Sequence, residues 1–304
     1  FFIFGINWNA YIFHASFFNS IITLFFFFFL NQFNKNLFFN FCLSASVAIL
    51  CYPIIGTPFP YQHSLILSLI SLFLFYLGVE KEKSIYWIIL PAFMLLSFLS
   101  MQLPAGLINL ILMIFLIIYY IFYEKYFVKY FLFGSLFAIS LFTIYLIITQ
   151  INLSEFIYQI ILFPLSVGEG RIMGDQSAFE SAKLLNKITL RGTIGHFKFI
   201  NFFILLNLIF MFIYFKKKLN KSRFDKVIFL NLLVFFCSIC FIFHQLITAN
   251  QTFIFSLIPI LCGFVTIQIH KIYFIKNTKI FSHIFLIIII FSTFKYHNVY
   301  NEKR

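Results

Sequence analysis

Long uncharged apolar segments, separated by short polar ones, dominate the chain. A helix that crosses the ~30 Å hydrocarbon core of a bilayer needs about 20 residues. Segments such as 11–30, 106–123, 130–149 and 227–248 reach or approach that length with almost no charge. Runs such as Phe25–Phe29 are apolar on every side, whereas a strand of a membrane barrel would alternate apolar and polar side chains. The pattern therefore predicts an all-α polytopic membrane protein.

The same pattern predicts about ten transmembrane helices in a single transmembrane domain that comprises residues 1–304. Sequence alone fixes their boundaries to within ~2–4 residues. The predicted spans are 11–30, 37–52, 63–79, 85–100, 106–123, 130–149, 199–215, 227–248, 253–269 and 280–294. The segment 85–100 would cover only ~24 Å at ~1.5 Å per residue and contains Pro91, so we expect it to be tilted or partly re-entrant.

Composition excludes a water-soluble protein. With 62% hydrophobic and 10% charged residues and a mean hydropathy of +0.99, the chain would expose large apolar surfaces to water. The net charge of +13 would suit nucleic acid, but anionic lipid head groups explain basic residues at the inner edges of spans. We therefore expect membrane lipids, and no nucleic acid, as partners. The sequence leaves the oligomeric state open.

Lysine and arginine residues indicate the orientation of the spans. They concentrate in the loops after the first, third, fifth, seventh and ninth predicted spans, and none lies in 53–62, 101–105 or 249–252. Cytoplasmic loops retain positive charge, so these three loops and both chain ends are expected outside. Segment 150–198 is also expected outside, because long segments translocate largely regardless of charge. We expect a multi-pass protein of the plasma (inner) membrane whose site faces the periplasm or exterior.

The outer segment 150–198 is long and polar enough to fold outside the bilayer. Its first part, 154–163, is predicted to be a short amphipathic helix that lies in the interface and is capped by Ser154. Its second part contains Pro164, Gly168, Gly170 and Gly174, which predict a flexible stretch of turns.

Four polar clusters interrupt the apolar background, and all four fall on the predicted outer face. They are 56–64, 100–106, 168–171 and the pairs His244-Gln245 and Asn250-Gln251. Polar groups at the mouths of spans are costly unless they pair or line a wet cavity, so their convergence on one side favours a site there. The candidate binding residues are His63, Gln102, Arg171, Arg191, His244, Gln245, Asn250 and Gln251. Taken singly, each cluster also fits an ordinary turn, an interfacial histidine or a polar contact between helices.

Charged residues in segment 150–198 offer groups that a reaction could use. Glu169 and Arg171 lie in the expected glycine-rich turn, where backbone N–H groups could approach an anion. A guanidinium can hold a phosphate through two parallel hydrogen bonds, which makes Arg171 and Arg191 candidate holders of a lipid phosphate. Solvated charges on an exposed loop are the alternative, and Lys198 would then mark the head-group boundary.

The sequence suggests no cofactor. Its five cysteines lie within or at the ends of apolar stretches, including the pair Cys237 and Cys240, where cysteine usually serves as a small packing residue. We predict neither a disulfide framework nor a metal site. A divalent ion would be compatible with phosphate chemistry, but no ligand set for one is evident.

The outer clusters give the chain a resemblance to the GT-C class of membrane glycosyltransferases. The resemblance rests on many spans, a large outer loop with an interfacial helix, the proline-flanked segments 56–64 and 100–106, and the run 244–251, which is similar to the His-led motif of the mannosyltransferases in that class. These motifs cover about a tenth of the chain. The resemblance implies transfer of a sugar from a polyprenyl-phosphate carrier to an acceptor on the outer face, with a carboxylate as base and cationic groups at the departing phosphate.

The chain departs from that class in its catalytic carboxylate. Members hold an Asp or Glu in the first outer loop, and none of the three short outer loops here contains one. Because the chain starts with Phe1 rather than Met, we expect a further span and the first outer loop, with the base, upstream of Phe1. Glu169 is a weaker candidate within the chain. Nor does a glutamate follow His244, which weakens the transfer of roles residue by residue.

Three alternatives stay open at this point. An O-antigen ligase or polymerase would also use a polyprenyl-linked sugar outside, through Arg171, Arg191 and His196. A flippase or other transporter of lipids or saccharides would instead need polar groups near span centres and broken helices on both leaflets. The third alternative is a non-catalytic subunit of a larger assembly.

Overall fold

Helices account for nearly all of the described chain. The structure is a computed structural model that describes residue 5 and residues 7–52, 60–173, 188–218, 225–247, 252–271 and 278–301. Across these ranges there is no strand, and eight helices are long and apolar enough to cross a membrane. Two further apolar helices have 15 and 17 residues. The prediction of an all-α, multi-pass membrane protein is confirmed.

Each of the ten predicted spans corresponds to one helix. The helices are α1 (Trp8–Asn31), α2 (Leu37–Cys51), α3 (Pro60–Lys81), α4 (Ser84–Ser100), α5 (Gln102–Phe122), α6 (Phe127–Ile148), α7 (Leu153–Ile157), α8 (Phe163–Met173), α9 (Lys198–Lys218), α10 (Lys226–Ile247), α11 (Leu257–Lys271) and α12 (Thr278–Asn301). Of these, α7 and α8 belong to the outer segment. A π-helical turn, Tyr158–Leu162, joins them, and a second one occupies Arg191–Gly195. The 3-10 turn Thr252–Ser256 precedes α11.

The chain forms two compact units. Unit 1 consists of Phe1–Gln62, Phe197–Ser238 and Thr252–Arg304, and unit 2 consists of His63–His196 and Ile239–Gln251. Each unit combines segments that are distant in the sequence, so long-range helix packing holds each of them together.

In unit 1, a hairpin of α1 and α2 is closed by asparagine side chains. The Asn36 side chain caps α2 by accepting from the N–H of Phe39 at 3.1 Å. The buried Asn40 donates to the Asn31 side chain at 2.6 Å and to the Asn34 carbonyl at 2.9 Å. Short amides satisfy the backbone groups that a helix end leaves open, which explains an asparagine-rich connection between two apolar helices.

An aromatic ladder aligns α9 and α12 in unit 1. Ring centroids lie 6.0 Å apart for Phe199 and Tyr296, 5.8 Å for Phe203 and Phe285, and 6.1 Å for Phe210 and Phe281. One residue number rises along the ladder while the other falls, so the two helices run antiparallel. Offset and edge-to-face rings at these distances attract each other beyond their burial alone.

A polar contact joins α9 and α10 within the same unit. Asn207 donates to the side chain of Asn231 at 3.0 Å, and Asn231 donates to the Val227 carbonyl of its own helix at 2.7 Å. Both side chains are buried. Hydrogen bonds of this kind between amide side chains help spans to associate in lipid, where the hydrophobic effect does not drive helices together.

In unit 2, α4 packs against α5 and α6. A side-chain Cβ at Gly134 would overlap the backbone carbonyl of Ile88, so glycine allows α6 to approach α4 closely. The buried residues of α6 are Phe127, Gly134 and Ala138, and the rest of this apolar helix is exposed or half-buried, as expected for a helix that faces lipid.

The outer segment differs from its prediction in two details. Asn152, rather than Ser154, caps α7 by accepting from the Ser154 N–H at 2.9 Å. The stretch with Pro164, Gly168 and Gly170 is helical in α8 rather than a series of turns, so the prediction was wrong there. Gly174, the last residue of that prediction, lies outside the described residues. No residue of 151–169 is buried, which is compatible with an interfacial segment.

Candidate functional site

A cavity of about 730 Å³ lies within unit 2, between the ends of several helices. Its walls come from Phe98 near the end of α4, from residues 101–107 at the start of α5, from residues 160–169 of the outer segment, and from His244 and Ile247 at the end of α10. Its volume falls within the usual range for small-molecule sites, roughly 300–1,000 Å³.

The cavity is mainly apolar with a few polar groups. Phenylalanine, leucine, isoleucine and proline side chains make up most of its wall. Among its described lining residues, Glu169 is the only carboxylate and His244 the only imidazole, and Gln102 adds an amide. An apolar wall with a few polar groups is typical of a ligand site, in which the apolar wall binds the ligand and the polar groups fix its orientation.

The start of α5 forms one wall because the chain bends there. Met101 is extended, with φ −164°, and Leu103 is non-helical with φ −118° and ψ 128°. The residue before a proline is biased towards extended conformations, so Pro104 accounts for the extended backbone of Leu103. A neighbouring helix holds this wall in place, because Ser64 of α3 donates to the Met101 carbonyl at 3.0 Å.

A second hydrogen bond fixes α5 against α4 just below this bend. The Asn109 side chain donates to the Met94 carbonyl at 2.8 Å, and the buried Ser97 donates to the same oxygen at 2.9 Å. Ser64 and Asn109 therefore position one side of the cavity without lining it. The sequence did contain a signal for Asn109, since it is an isolated amide in a predicted span.

The outer segment supplies the opposite wall. The wide π-helical turn Tyr158–Leu162 ends two residues before Pro164, whose missing N–H cannot continue an ordinary helical ladder. Phe156 contacts Phe142 of α6 with ring centroids 5.4 Å apart, which ties the start of the segment to a span. Glu169 is on the exposed part of α8 and lines the cavity.

His244 and Gln245 are both buried at the end of α10. The Gln245 amide nitrogen lies 3.3 Å from the His244 Nδ1. With the Gln245 amide nitrogen as the donor, Nδ1 is the acceptor in this contact, and the neutral ring carries its proton on Nε2.

The structure brings together some of the candidate residues from separate predicted clusters. Gln102, Glu169 and His244 line one cavity, and Gln245 contacts His244. His63 is half-buried next to Ser64 but does not line the cavity, and Arg191 is exposed in its π-helical turn. The backbone of Arg171 is in α8, while its side chain lies outside the described part of the structure. Asn250, Gln251 and residues 56–59 of the first cluster also lie outside the described residues.

The apolar wall was the part of the site that sequence reasoning missed. Phe98, Ile160 and Ile247 line the cavity, yet each occupies an apolar stretch in which any position could equally face lipid. Only the tertiary packing distinguishes these residues from lipid-facing ones.

Within the described ranges, no group of three or more histidine, cysteine or acidic side chains could hold a metal ion. The absence of a cofactor stays a prediction. All five cysteines are free thiols, and four of them are buried, which agrees with a packing role.

Comparison of the chain with protein-family models, with curated proteins and with solved structures finds no match. The resemblance to the GT-C class therefore rests on the residues and their arrangement alone.

Proposed function

We propose that this protein is a membrane glycosyltransferase that transfers a sugar from a polyprenyl-phosphate carrier to an acceptor on the non-cytoplasmic face. The observation that supports this best is the unit 2 cavity, where an apolar wall meets Glu169 and His244. An isoprenoid chain needs such a wall, since burial of apolar surface contributes roughly 25 cal/mol per Å². A glycosyl transfer needs a proton acceptor and a donor to the leaving phosphate.

In the proposed reaction, Glu169 is the general base. An acceptor hydroxyl gives its proton to the Glu169 carboxylate as its oxygen attacks the anomeric carbon of the sugar. The bond from that carbon to the phosphate oxygen breaks, and the lipid phosphate leaves with the electron pair. In this proposal Glu169 takes the role of the carboxylate that the three short outer loops lack.

His244 and Arg171 are the proposed partners of the leaving phosphate. The His244 Nε2–H is a hydrogen-bond donor in the tautomer that the Gln245 contact favours. Arg171 stays a candidate holder of the phosphate on the ground of its sequence, because a guanidinium can hold a phosphate with two parallel hydrogen bonds. One well-placed donor to developing charge contributes roughly 10²–10³ in rate.

The proposed side of the membrane follows from the charge pattern. The cavity lies at the helix ends that adjoin the lysine-poor loops and the outer segment. The positive-inside rule assigns these helix ends to the outer face. We propose the plasma membrane, with the cavity accessible from the periplasm or exterior.

The rival functions fit the described structure less well. A ligase or polymerase would use Arg171, Arg191 and His196, and of these neither Arg191 nor His196 lines the cavity. A transporter would expose polar groups of its spans to a path, whereas Asn207 and Asn231 are buried and hydrogen-bonded to each other.

The test is release of polyprenyl phosphate from a panel of polyprenyl-phosphate hexoses by the protein in liposomes. We expect Glu169→Gln to reduce release by roughly 10²–10⁴-fold, the usual contribution of a general base, with insertion unchanged. Glu155→Gln is the matched control, because Glu155 is exposed on the same outer segment and does not line the cavity. Release that is equal in the wild type and Glu169→Gln would reject Glu169 as the base, and absence of release from every donor in the wild type would reject the glycosyltransferase.

A further inference from the structure

Two lysine side chains from distant parts of the sequence lie in contact in unit 1. Lys198 is the first residue of α9, and Lys295 lies near the end of α12. Their side chains interact with each other. Lys198 is exposed and Lys295 is half-buried, so both can be reached from outside the protein.

Aromatic packing fixes the two lysines at this place. Their neighbours in the sequence, Phe199 and Tyr296, contact each other with ring centroids 6.0 Å apart. Tyr296 also stacks on Phe255 at 3.8 Å, and the Lys198 ammonium lies 5.5 Å from the centre of the Phe199 ring. The lysine pair is therefore held by the same packing that aligns the two helices.

The pair lies where both helices change from apolar to polar. The apolar stretch of α9 begins directly after Lys198, and that of α12 ends directly before Lys295. Such boundaries coincide with the level of lipid head groups, where lysine side chains extend towards phosphate. The antiparallel ladder places both boundaries at the same end of the helix pair.

Two ammonium groups in contact repel each other, and an anion between them offsets this repulsion. Neither lysine forms an ion pair with an acidic side chain of the described residues; the contacts of Lys198 are the Lys295 side chain and the Phe199 ring. Two ammonium groups together offer six N–H donors, which suits the oxygens of one phosphate better than a single carboxylate.

We propose that Lys198 and Lys295 form a binding site for one phosphate group at the membrane surface, as borne by an anionic lipid head group or by free phosphate. The site belongs to unit 1, whereas the proposed reaction uses the cavity of unit 2, so this proposal does not depend on the glycosyltransferase assignment.

The test is lipid retention by the purified full chain, released from nanodiscs of equal parts phosphatidylglycerol and phosphatidylcholine and measured by native mass spectrometry. We expect the wild type to retain phosphatidylglycerol preferentially. The double variant Lys198→Gln/Lys295→Gln should lose this preference roughly tenfold, the equivalent of about 1.4 kcal/mol, while Lys198→Arg/Lys295→Arg should keep it. The matched control is Lys129→Gln, because Lys129 also lies over its neighbouring ring, at 4.8 Å from the centre of Tyr130.

Competition with inorganic phosphate separates the two sources of the ligand. Displacement of phosphatidylglycerol at millimolar phosphate would identify free phosphate as a ligand, and resistance to it would identify the lipid head group. Equal retention of both lipids by the wild type, the glutamine variant and the control would overturn the proposal. If the glutamine variant does not fold, loss of preference in the arginine variant, with an unchanged thermal melt, would also overturn it.

Discussion

At the scale of single residues, the cavity contains a position where its volume can be changed without a clash. Gly168 lines the cavity in α8, and an added Cβ would meet nothing within 4 Å. Glycine is also the poorest helix former after proline, so a larger residue there should not weaken the helix. Gly168 thus allows the role of the cavity to be tested separately from the stability of the fold.

We expect Gly168→Phe to fill part of the cavity and to weaken binding of a polyprenyl-phosphate ligand by tenfold or more, because each buried CH₂ of the ligand contributes about 0.8 kcal/mol. Binding of a fluorescent polyprenyl phosphate to the protein in nanodiscs measures this. Gly195→Phe is the control, since Gly195 is exposed and does not line the cavity. Equal binding by both variants would show that the lipid binds elsewhere.

At the scale of elements, the sequence predicted the spans because lipid imposes a strong pattern. Every predicted span corresponds to a helix, since an uncharged apolar segment of this length must satisfy its own backbone groups. The outer segment was harder to predict, because Pro164, Gly168 and Gly170 are typical of turns in water. A π-helical turn before Pro164 accommodates its missing N–H, and local composition does not reveal that.

The candidate site was predictable only in part, for a similar reason. Gln102, Glu169 and His244 are polar in apolar surroundings and could be found from sequence, but their positions along the chain do not show that they share a cavity. The hydrogen bonds of Ser64 and Asn109 that shape its wall depend on packing between helices, which no local pattern encodes.

The contact between α4 and α6 gives a prediction at this scale. Gly134→Ala should destabilise the protein by about 1–3 kcal/mol, because the added methyl overlaps the Ile88 carbonyl and overpacking forces the helices apart. Thermal melting in detergent measures the change. Ser140→Ala is the control, since Ser140 is exposed on the same helix. Equal melting temperatures would mean that α6 does not approach α4 as closely as the structure indicates.

At the scale of the whole molecule, the prediction still to be tested is which ends of the helices face outward. The structure establishes the helices, whereas the side of the membrane follows only from the distribution of lysine and arginine. The proposed chemistry depends on it, because a polyprenyl-phosphate sugar and its acceptor meet on one face only. Single cysteines can report that side, since four of the five native thiols are buried.

In a Cys42→Ser background, we expect Glu155→Cys and Arg191→Cys to react with a membrane-impermeant maleimide in intact cells. Both positions are exposed in the outer segment. Lys125 and Lys129 are exposed just before α6 and in its first turn. Lys125→Cys and Lys129→Cys should react only after permeabilisation, because the positive-inside rule assigns them to the cytoplasm. Gel shift of the labelled protein gives the measurement. The reverse labelling pattern would show that the cavity faces the cytoplasm. It would contradict the proposed transfer of sugar on the non-cytoplasmic face.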